Sequence, residues 1–302
     1  MTKPALSWVA ADWGTTHLRL WLMAANSDVI ARRESPLGMG RLTPEGYEPA
    51  LLELLAGDLP DAAIPVIICG MAGARQGWVE APYATVPCEV PSLANATQVK
   101  TDDPRLSVYI LPGICQQTPP DVMRGEETQI GGFLAAEPNF DGILCLPGTH
   151  CKWVHISARE VVSFRTFMTG ELFALLGEHS VLKHSIGTGW DDAAFDVAVS
   201  DALSRPAGIG AELFTLRAAQ LLQDQSPDVA RARLSGMLIG LELAAARPYW
   251  LGQEVVILGQ EGLAKAYHTA LQSQSAWCRM VSAEGTTLQG LKAAYEQLEA
   301  KT

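Results

Sequence analysis

Charged side chains are scarce in this sequence, and basic ones are scarcer than acidic ones. Charged residues make up 18% of the 302 residues, against about 25% in a typical soluble domain. The 22 lysines and arginines and the 33 aspartates and glutamates leave a net charge of −11. A protein that binds the phosphate backbone of nucleic acids needs a basic surface. The sequence therefore predicts that nucleic acid is not a partner.

Long apolar runs are also missing, although hydrophobic residues make up 48% of the chain. No run approaches the roughly 20 residues that cross a bilayer. The N-terminal sequence MTKPALSWVAADWG lacks the long apolar segment and the cleavage site of a signal peptide. The hydrophobic fraction is too high for a disordered protein. We expect a folded cytoplasmic protein with no membrane partner and, at this length, about two domains.

Several common motifs are absent. None of the six cysteines belongs to a CxxC pair, and several lie in apolar runs such as IPVIICG, so we expect reduced thiols. His150, Cys151 and His155 are close in sequence, but a structural zinc site usually supplies four nearby ligands, which disfavours zinc. The chain has neither GxGxxG after a strand nor GxxxxGK[ST]. A dinucleotide-binding Rossmann site is therefore not supported, and a P-loop is excluded.

The order of the predicted elements repeats once along the chain. An apolar strand over 8–12, a Gly-Thr turn and the strands HLRLWLM and DVIARRES precede a helix over 44–55. From about Gly142 the same order returns as GILCLPG, a Gly-Thr turn, CKWVHIS, EVVSFRTF and a helix over 169–182 that Thr169 would cap. This pattern predicts an α/β fold of two related domains, 1–140 and 141–302, with a ligand cleft between them and the last helix packing back toward the first.

The string DWGTT places Asp12 at the end of a buried strand and follows it with Gly14, Thr15 and Thr16 in a tight turn. Glycine lets backbone amides approach a ligand closely, and adjacent hydroxyls and amides can hold phosphate oxygens. A carboxylate at such a turn can hold Mg²⁺, usually through water. The alternative interpretation is a hairpin turn whose aspartate bonds its own backbone.

The string PGTHCKW lies at the corresponding place in the second half, where Gly148 and Thr149 repeat the Gly-Thr pairing and Lys152 is close by. Two such turns at equivalent points could hold phosphates between them, which favours a nucleotide ligand. The strand VVILG ends at Gly259, and a helix that includes Gly262 follows. Glycine at this point would let a flat ligand lie on the backbone, although ordinary strand-to-helix punctuation is the alternative.

DWGTT, the second Gly-Thr turn and the strand, glycine and helix at Gly259 resemble the phosphate and adenosine motifs of the actin/hexokinase/Hsp70 ATPase superfamily. The longer strings GMAGARQGW, MRGEETQIGG, LPGTHCKW and FMTGELFALLGEHSVL resemble the 2-dehydro-3-deoxygalactonokinase family from galactonate catabolism, over nearly the whole chain. The resemblance implies two actin-like (ribonuclease H-like) ATPase domains. It also implies transfer of the γ-phosphoryl group of ATP, with Mg²⁺, to the terminal primary hydroxyl of 2-dehydro-3-deoxy-D-galactonate.

The resemblance also implies site residues. Asp12 would organise Mg²⁺, and Arg19 matches an arginine that many sugar kinases of this superfamily carry after the same turn. Pro147 stands where the superfamily usually has an aspartate, so metal binding by the second turn is not expected. The residues that would bind ATP and its phosphates are Gly14, Thr15, Thr16, Arg19, Gly148, Thr149, Lys152 and Gly259.

The catalytic base in related sugar kinases is usually an aspartate, and the corresponding segment here, RGEETQIGG, offers two glutamates. The attacking hydroxyl must lose its proton to a group within hydrogen-bond reach. Glu126 and Glu127 would point about 100° apart on a helix, so only one can face the substrate well. Glu127 better matches the spacing to Gly131 in the sugar-kinase pattern. The alternative is that both glutamates only favour a helix N-terminus.

The carboxylate of a sugar acid favours a bidentate arginine, for which Arg75 and Arg124 are candidates. Trp78 could pack against the sugar, and Glu126 is a further substrate-binding candidate. Which arginine binds, which stereoisomer is preferred and whether the protein is a homodimer stay open. Two alternatives also stay open: another small-molecule kinase of the superfamily, for 2-dehydro-3-deoxygluconate, an aldose or a pantothenate-like acid, and an actin-like assembly ATPase.

Overall fold

The computed structural model describes residues 5–283 and 285–299. Within residues 5–140, the structure has ten strands and two α-helices. The strands are β1 (Trp8–Trp13), β2 (Leu18–Met23), β3 (Val29–Ser35), β4 (Ile64–Gly70), β5 (Tyr83–Thr85), β6 (Cys88–Glu89), β7 (Thr97–Val99), β8 (Leu106–Ile110), β9 (Gly113–Gln116) and β10 (Asp121–Met123). The helices are α1 (Tyr47–Leu55) and α2 (Glu126–Ala136).

Longer helices dominate the rest of the described chain. Its strands are β11 (Gly142–Leu146), β12 (Cys151–Ser157), β13 (Glu160–Phe167), β14 (Val255–Gly259) and β15 (Cys278–Ser282). Its helices are α3 (Thr169–Ala174), α4 (Asp192–Ser204), α5 (Ile209–Gln223), α6 (Pro227–Ala245), α7 (Arg247–Trp250), α8 (Glu261–Gln272) and α9 (Thr286–Glu299).

The chain divides into two compact units. The first is formed by the described residues up to Phe140, by Ala158–Val162 and by the described residues from Ala283 on, so α9 belongs to it. The second is formed by Asp141–Ser157 and Ser163–Ser282. The functional domains at 1–140 and 141–302 stay a prediction.

The main sheet of the first unit has the order β3-β2-β1-β4-β8-β7. Its first three strands form an antiparallel meander, and β4 and β8 continue it in parallel with β1. Both faces of β1 are buried, because Val9 and Trp13 lie in one apolar cluster and Trp8 in another. The Trp8 ring stacks on Tyr295 of α9 with 4.2 Å between ring centroids.

The neighbouring strands β15-β14-β11-β12-β13 of the second six-stranded sheet repeat this arrangement. Strand β11 pairs antiparallel with β12 and parallel with β14, and β14 pairs parallel with β15. Strands β11 and β12 therefore correspond to β1 and β2, and each pair is joined by one of the Gly-Thr turns. The repeated order of strands predicted from the sequence is confirmed.

The prediction of one continuous helix over 169–182 is wrong. Helix α3 ends at Ala174 and is followed by a π-helical turn over Leu175–His179 and a 3-10 turn over Val181–His184. The break follows from Ser180, whose hydroxyl accepts from the Leu182 amide and starts a new turn. The predicted cap is also wrong, because Thr169 is already helical and its side chain does not cap the helix.

Two smaller differences concern other helices. The helix expected over 44–55 begins at Tyr47, after a 3-10 turn over Pro44–Gly46. Helix α4 was not expected, although Asp191 caps it by accepting from the Ala194 amide at 2.8 Å. In the part of the chain that the structure describes, no helix is long and apolar enough to cross a membrane.

Candidate active site

Asp12 and Arg19 face each other across the hairpin that carries the first Gly-Thr turn. They are register partners in β1 and β2, and the guanidinium donates to Asp12 Oδ2 at 3.2 Å. Burial raises the pKa of the Asp12 carboxyl, and the charge of Arg19 opposes this rise. The Arg19 side chain is 45% exposed. The pair therefore joins a largely buried carboxylate, whose side chain is 20% exposed, to a cation that can still reach a ligand.

The end of β4 connects Asp12 to the start of α2. Cys69 is the register partner of Asp12, and its thiol lies 4.0 Å from Asp12 Oδ1. Burial raises the pKa of Cys69 most, and the charges of Asp12 and Glu127 raise it further. A Cβ on Gly125, the residue before α2, would lie 3.6 Å from the Gly70 Cα. Both predicted catalytic carboxylates therefore lie beside the C-terminal end of β4.

Glu127 is buried, with 1% of its surface exposed. Its Oε2 accepts from the Gly125 amide at 2.6 Å, and its Oε1 accepts from the Thr128 hydroxyl at 3.0 Å. Burial and then the charge of Glu126 raise the pKa of Glu127 to about 7, and the hydrogen bonds oppose the rise. A carboxyl whose pKa lies near neutrality can take up a proton and release it again at physiological pH.

Glu126 has different surroundings, as its position one residue earlier on α2 predicts. It is partly exposed, and its Oε2 accepts from the Arg124 amide at 3.1 Å. The two glutamates therefore divide between an enclosed and a more open environment. The role of Glu127 as the base and the role of Glu126 in substrate binding both stay predictions.

The first Gly-Thr turn is exposed at Thr15 and Thr16 and is supported from behind by a segment that the sequence analysis missed. The Met39 amide donates to Gly14 O at 3.0 Å, and the Gly40 amide donates to Thr15 O at 2.9 Å. A Cβ on Gly38 would come within 2.4 Å of Thr15 O. The string GMG was the available signal, because two glycines so close together indicate a close backbone approach.

We expect Gly38→Ala to weaken ATP use, because the added methyl group must push the first turn out of place. Overpacking of this kind costs about 1–3 kcal/mol, and a displacement near 1 Å can lower kcat/KM for ATP by up to about 100-fold. Steady-state kinetics and thermal unfolding measure both effects. Gly210→Ala is the matched control, because a Cβ there meets no atom within 4 Å. Unchanged kinetics in Gly38→Ala would contradict this role.

The second Gly-Thr turn packs on the first residues of α3. A Cβ on Gly170 would come within 2.3 Å of Gly148 O. The Glu171 amide donates to Thr149 O at 3.0 Å, and the Glu171 carboxylate lies 2.8 Å from His150 Nε2. A Cβ on Gly148 itself would meet no atom within 4 Å. The turn is thus held on one side and open on the other.

Gly259 and Lys152 lie on strands beside this second turn. A Cβ on Gly259 would come within 3.3 Å of the Pro147 ring, so the end of β14 adjoins the turn. Lys152 is 4% exposed, and its ammonium donates to Thr166 Oγ1 at 2.9 Å. The predicted roles of both residues in ATP binding stay predictions.

The loop after β4 carries the other substrate candidates. The Arg75 side chain is 80% exposed, and only a long contact of 3.4 Å joins it to Glu80. The Trp78 ring packs on Tyr47 and Trp13 in the core of the first unit. This position anchors the loop to the core of the first unit, and it limits the part of the indole that can touch a sugar.

Arg124 lies under the same loop. Its guanidinium donates to Ala81 O at 2.8 Å and covers the Tyr83 ring at 4.3 Å from the centroid. Its Nη1 occupies the space where a Cβ on Gly73 would be. Nε and Nη1 are buried and have no hydrogen-bond partner among the residues that the structure describes. These contacts make Arg124 a support of the loop and leave Arg75 the more accessible of the two arginines.

Among the residues that the structure describes, no three His, Cys, Asp or Glu side chains form a group that could hold a metal ion. Mg²⁺ that binds together with a nucleotide needs fewer protein ligands, because phosphates and water supply the other oxygen ligands and the protein adds one or two carboxylates. The largely buried Asp12 carboxylate, close to the first turn, fits such a role.

The sequence profile described as 2-keto-3-deoxy-galactonokinase matches residues 12–294. A protein of Rhizobium meliloti (strain 1021), named probable 2-dehydro-3-deoxygalactonokinase DgoK1, is 42% identical over 294 residues, which cover 95% of this chain and 96% of that protein. The protein of Escherichia coli (strain K12) named 2-dehydro-3-deoxygalactonokinase is 34% identical over 284 residues, 93% of this chain and 94% of that one.

Solved structures agree with the sequence matches. A crystal structure from Sinorhizobium meliloti, of a protein provisionally described as a 2-dehydro-3-deoxygalactonokinase, superposes with a TM-score of 0.90 at 41% identity. The aligned region covers 96% of this chain and 99% of that chain. The activator of 2-hydroxyisocaproyl-CoA dehydratase from Clostridium difficile, with bound ADPNP, has a TM-score of 0.52 at 11% identity over 97% and 96% of the two chains. At this identity, the similarity shows a shared fold and nothing more. The predicted actin-like ATPase fold is thereby confirmed.

The length of these matches decides the family. The profile and both curated relatives extend over almost the whole chain, from the first Gly-Thr turn into α9. The strings GMAGARQGW and MRGEETQIGG, which supply the loop after β4 and the start of α2, lie within the matched residues. The chain belongs to the 2-keto-3-deoxy-galactonokinase family, as its motifs predicted.

Proposed function

We propose that this protein transfers the γ-phosphoryl group of ATP to the terminal primary hydroxyl of 2-dehydro-3-deoxy-D-galactonate. The observation that carries the chemistry is the buried Glu127 carboxyl, which lies beside the same strand end as Asp12. Family membership supplies the substrate class, and a sugar acid fits a site that has an accessible arginine nearby. A cytoplasmic location and a homodimer stay predictions of the sequence.

Glu127 accepts the proton of the attacking hydroxyl. The bonds from the Gly125 amide and the Thr128 hydroxyl hold its carboxylate in one orientation. Its raised pKa makes it a stronger base than an exposed glutamate, although it still loses its proton near pH 7. Phosphoryl transfer otherwise depends on positioning and on charge stabilisation.

The two Gly-Thr turns would bind the phosphates of ATP through their amides and hydroxyls. Asp12 would hold Mg²⁺, which neutralises charge on the phosphate oxygens when it is bound. Arg19 leaves Asp12 or bridges from it to a phosphate, because its side chain is still half-exposed. Burial of Asp12 supports this proposal, since a desolvated carboxylate gains more from a nearby cation than an exposed one does.

Arg75 binds the substrate carboxylate in this proposal. We expect Arg75→Met to raise KM for the sugar acid by about 10-fold to 100-fold, because a charged hydrogen bond contributes about 1.5–3 kcal/mol. KM for ATP and the melting temperature should hardly change, since Arg75 is exposed. Arg124→Met is the matched comparison and should lower the melting temperature instead. An unchanged KM for the sugar acid in Arg75→Met would move the carboxylate site elsewhere.

Coupled ADP release with a panel of 2-dehydro-3-deoxy sugar acids tests the function itself. We expect release that needs both ATP and the galactonate derivative, with the highest kcat/KM for that stereoisomer. A preference for the gluconate derivative or for an aldose would change the assigned substrate, but the protein would still be a kinase. Sugar-independent ATP hydrolysis with ATP-dependent light scattering would favour an assembly ATPase.

A further inference from the structure

The most enclosed acidic group of the second unit lies outside the residues discussed so far. Glu242 is on α6 and is 2% exposed. Its carboxylate accepts from Trp153 Nε1 and from the Tyr267 hydroxyl, each at 2.7 Å. The Thr169 hydroxyl and the Cys151 thiol also bond to it. These four partners are neutral, and each holds the carboxylate through a hydrogen bond.

These donors come from the segments that surround the second Gly-Thr turn. Cys151 is the first residue of β12, immediately after the turn, and Trp153 follows it on the same strand. Thr169 begins α3, whose next two residues contact the turn through Gly148 O and Thr149 O. One carboxylate thus fixes both the strand that leaves the turn and the helix that supports it.

Tyr267 adds a third element to this group. It lies on α8, the helix that follows Gly259 and the end of β14. Burial raises the pKa of Glu242, and the bonds from Cys151, Thr169 and Trp153 are among those that oppose the rise. A buried carboxylate with four donors fixes the positions of those donors, because each loses a strong partner if it moves.

We propose that Glu242 is a positioning residue for the nucleotide: it holds the second Gly-Thr turn and α8 in the arrangement that binds ATP. This inference rests on the proposed use of the second turn for ATP phosphates. Glu242 does not touch the ligand, and it acts through Cys151 and Thr169.

Binding of AMPPNP, a non-hydrolysable ATP analogue, measured by calorimetry, tests the inference without turnover. We expect Glu242→Gln to weaken AMPPNP binding by about 10-fold or more. The NH2 group of the glutamine is itself a donor, so it would face one of the donors that now bond to the carboxylate. KM for the sugar acid should stay within about twofold of the wild type. Thr169→Val should reproduce part of the loss, since it removes only the hydroxyl that joins Glu242 to α3. The valine variant keeps the test decisive if Glu242→Gln folds poorly.

Trp250→Phe controls for a general loss of stability. Its indole N–H donates to Leu243 O at 2.8 Å, and its ring packs in the same apolar core. We expect this variant to melt at a lower temperature and to bind AMPPNP normally. Equal weakening in Trp250→Phe, or unchanged binding in both Glu242→Gln and Thr169→Val, would overturn the positioning role. A wild-type protein that binds no AMPPNP would overturn the proposed ATP site itself and this inference with it.

Discussion

Glu127→Gln is expected to lower kcat by about 10²–10⁴-fold, with a much smaller change in KM for the sugar acid. Glutamine has nearly the same size, and its amide can still accept from the Gly125 amide and donate to the Thr128 hydroxyl. The variant can therefore still hold the attacking hydroxyl of the sugar acid in place, and it loses only the base. Steady-state kinetics at saturating ATP measure the split between kcat and KM.

The pH profile adds a second measurement on the same residue. In the wild type, kcat/KM should fall as pH drops below about 7, because Glu127 becomes protonated there. Glu126→Gln should move this limb to lower pH, since the Glu126 charge raises the pKa of Glu127. Its kcat at high pH should stay close to that of the wild type. If Glu126→Gln is the inactive variant, the base is one residue earlier; if neither variant loses more than about threefold, the base lies elsewhere.

The free energy of unfolding should change with pH in the opposite sense to kcat/KM, and so it should fall as pH rises toward 7. The pKa of Glu127 is raised from 4.5 to about 7 in the folded protein. Its contribution to stability is therefore complete below about pH 4.5 and is lost as pH rises to about 7. The shift corresponds to roughly 3 kcal/mol. Glu127→Gln has no such loss, so denaturant unfolding should find it at least as stable as the wild type above pH 7.

Asp12→Asn is expected to retain the fold and to lower kcat by about 10²–10³-fold, the usual cost of removing an electrostatic group from an active site. The variant should also need more Mg²⁺ for half-maximal activity. The fold should survive, because asparagine keeps the shape and an oxygen for the Arg19 guanidinium, and burial already disfavours the Asp12 charge. Turnover measured over a range of Mg²⁺ concentrations tests both parts.

Glu34→Gln is the matched control for Asp12→Asn. Glu34 is the register partner of Arg19 on β3 and forms an exposed pair with Arg32, so the variant removes one negative charge from the same sheet. Its kcat and Mg²⁺ dependence should stay within about twofold of the wild type. Near-normal turnover of Asp12→Asn with an unchanged Mg²⁺ dependence would remove Asp12 from the metal site.

Much of this site could be predicted because its signals are local. The alternation of HLRLWLM predicted β2, and the spacing of the two glutamates predicted that Glu127 and Glu126 face different environments. The supports of the two turns could not be found in this way. Gly38 lies more than twenty residues after the turn that it contacts, and Glu242 lies about ninety residues after Cys151. Contacts over such separations depend on how elements pack, which periodicity along one strand or helix does not encode.

The supported Gly-Thr turns have a consequence for the entropy of ligand binding. Contacts with Gly38 and Gly40 hold the first turn, and contacts with Gly170 and Glu171 hold the second. Fixing the backbone of a flexible residue costs about 1–2 kcal/mol. For the proposed nucleotide site, that cost is met during folding, so ATP would bind to two preorganised loops. Interaction energy that a disordered phosphate loop would spend on its own ordering stays available for the transition state of phosphoryl transfer.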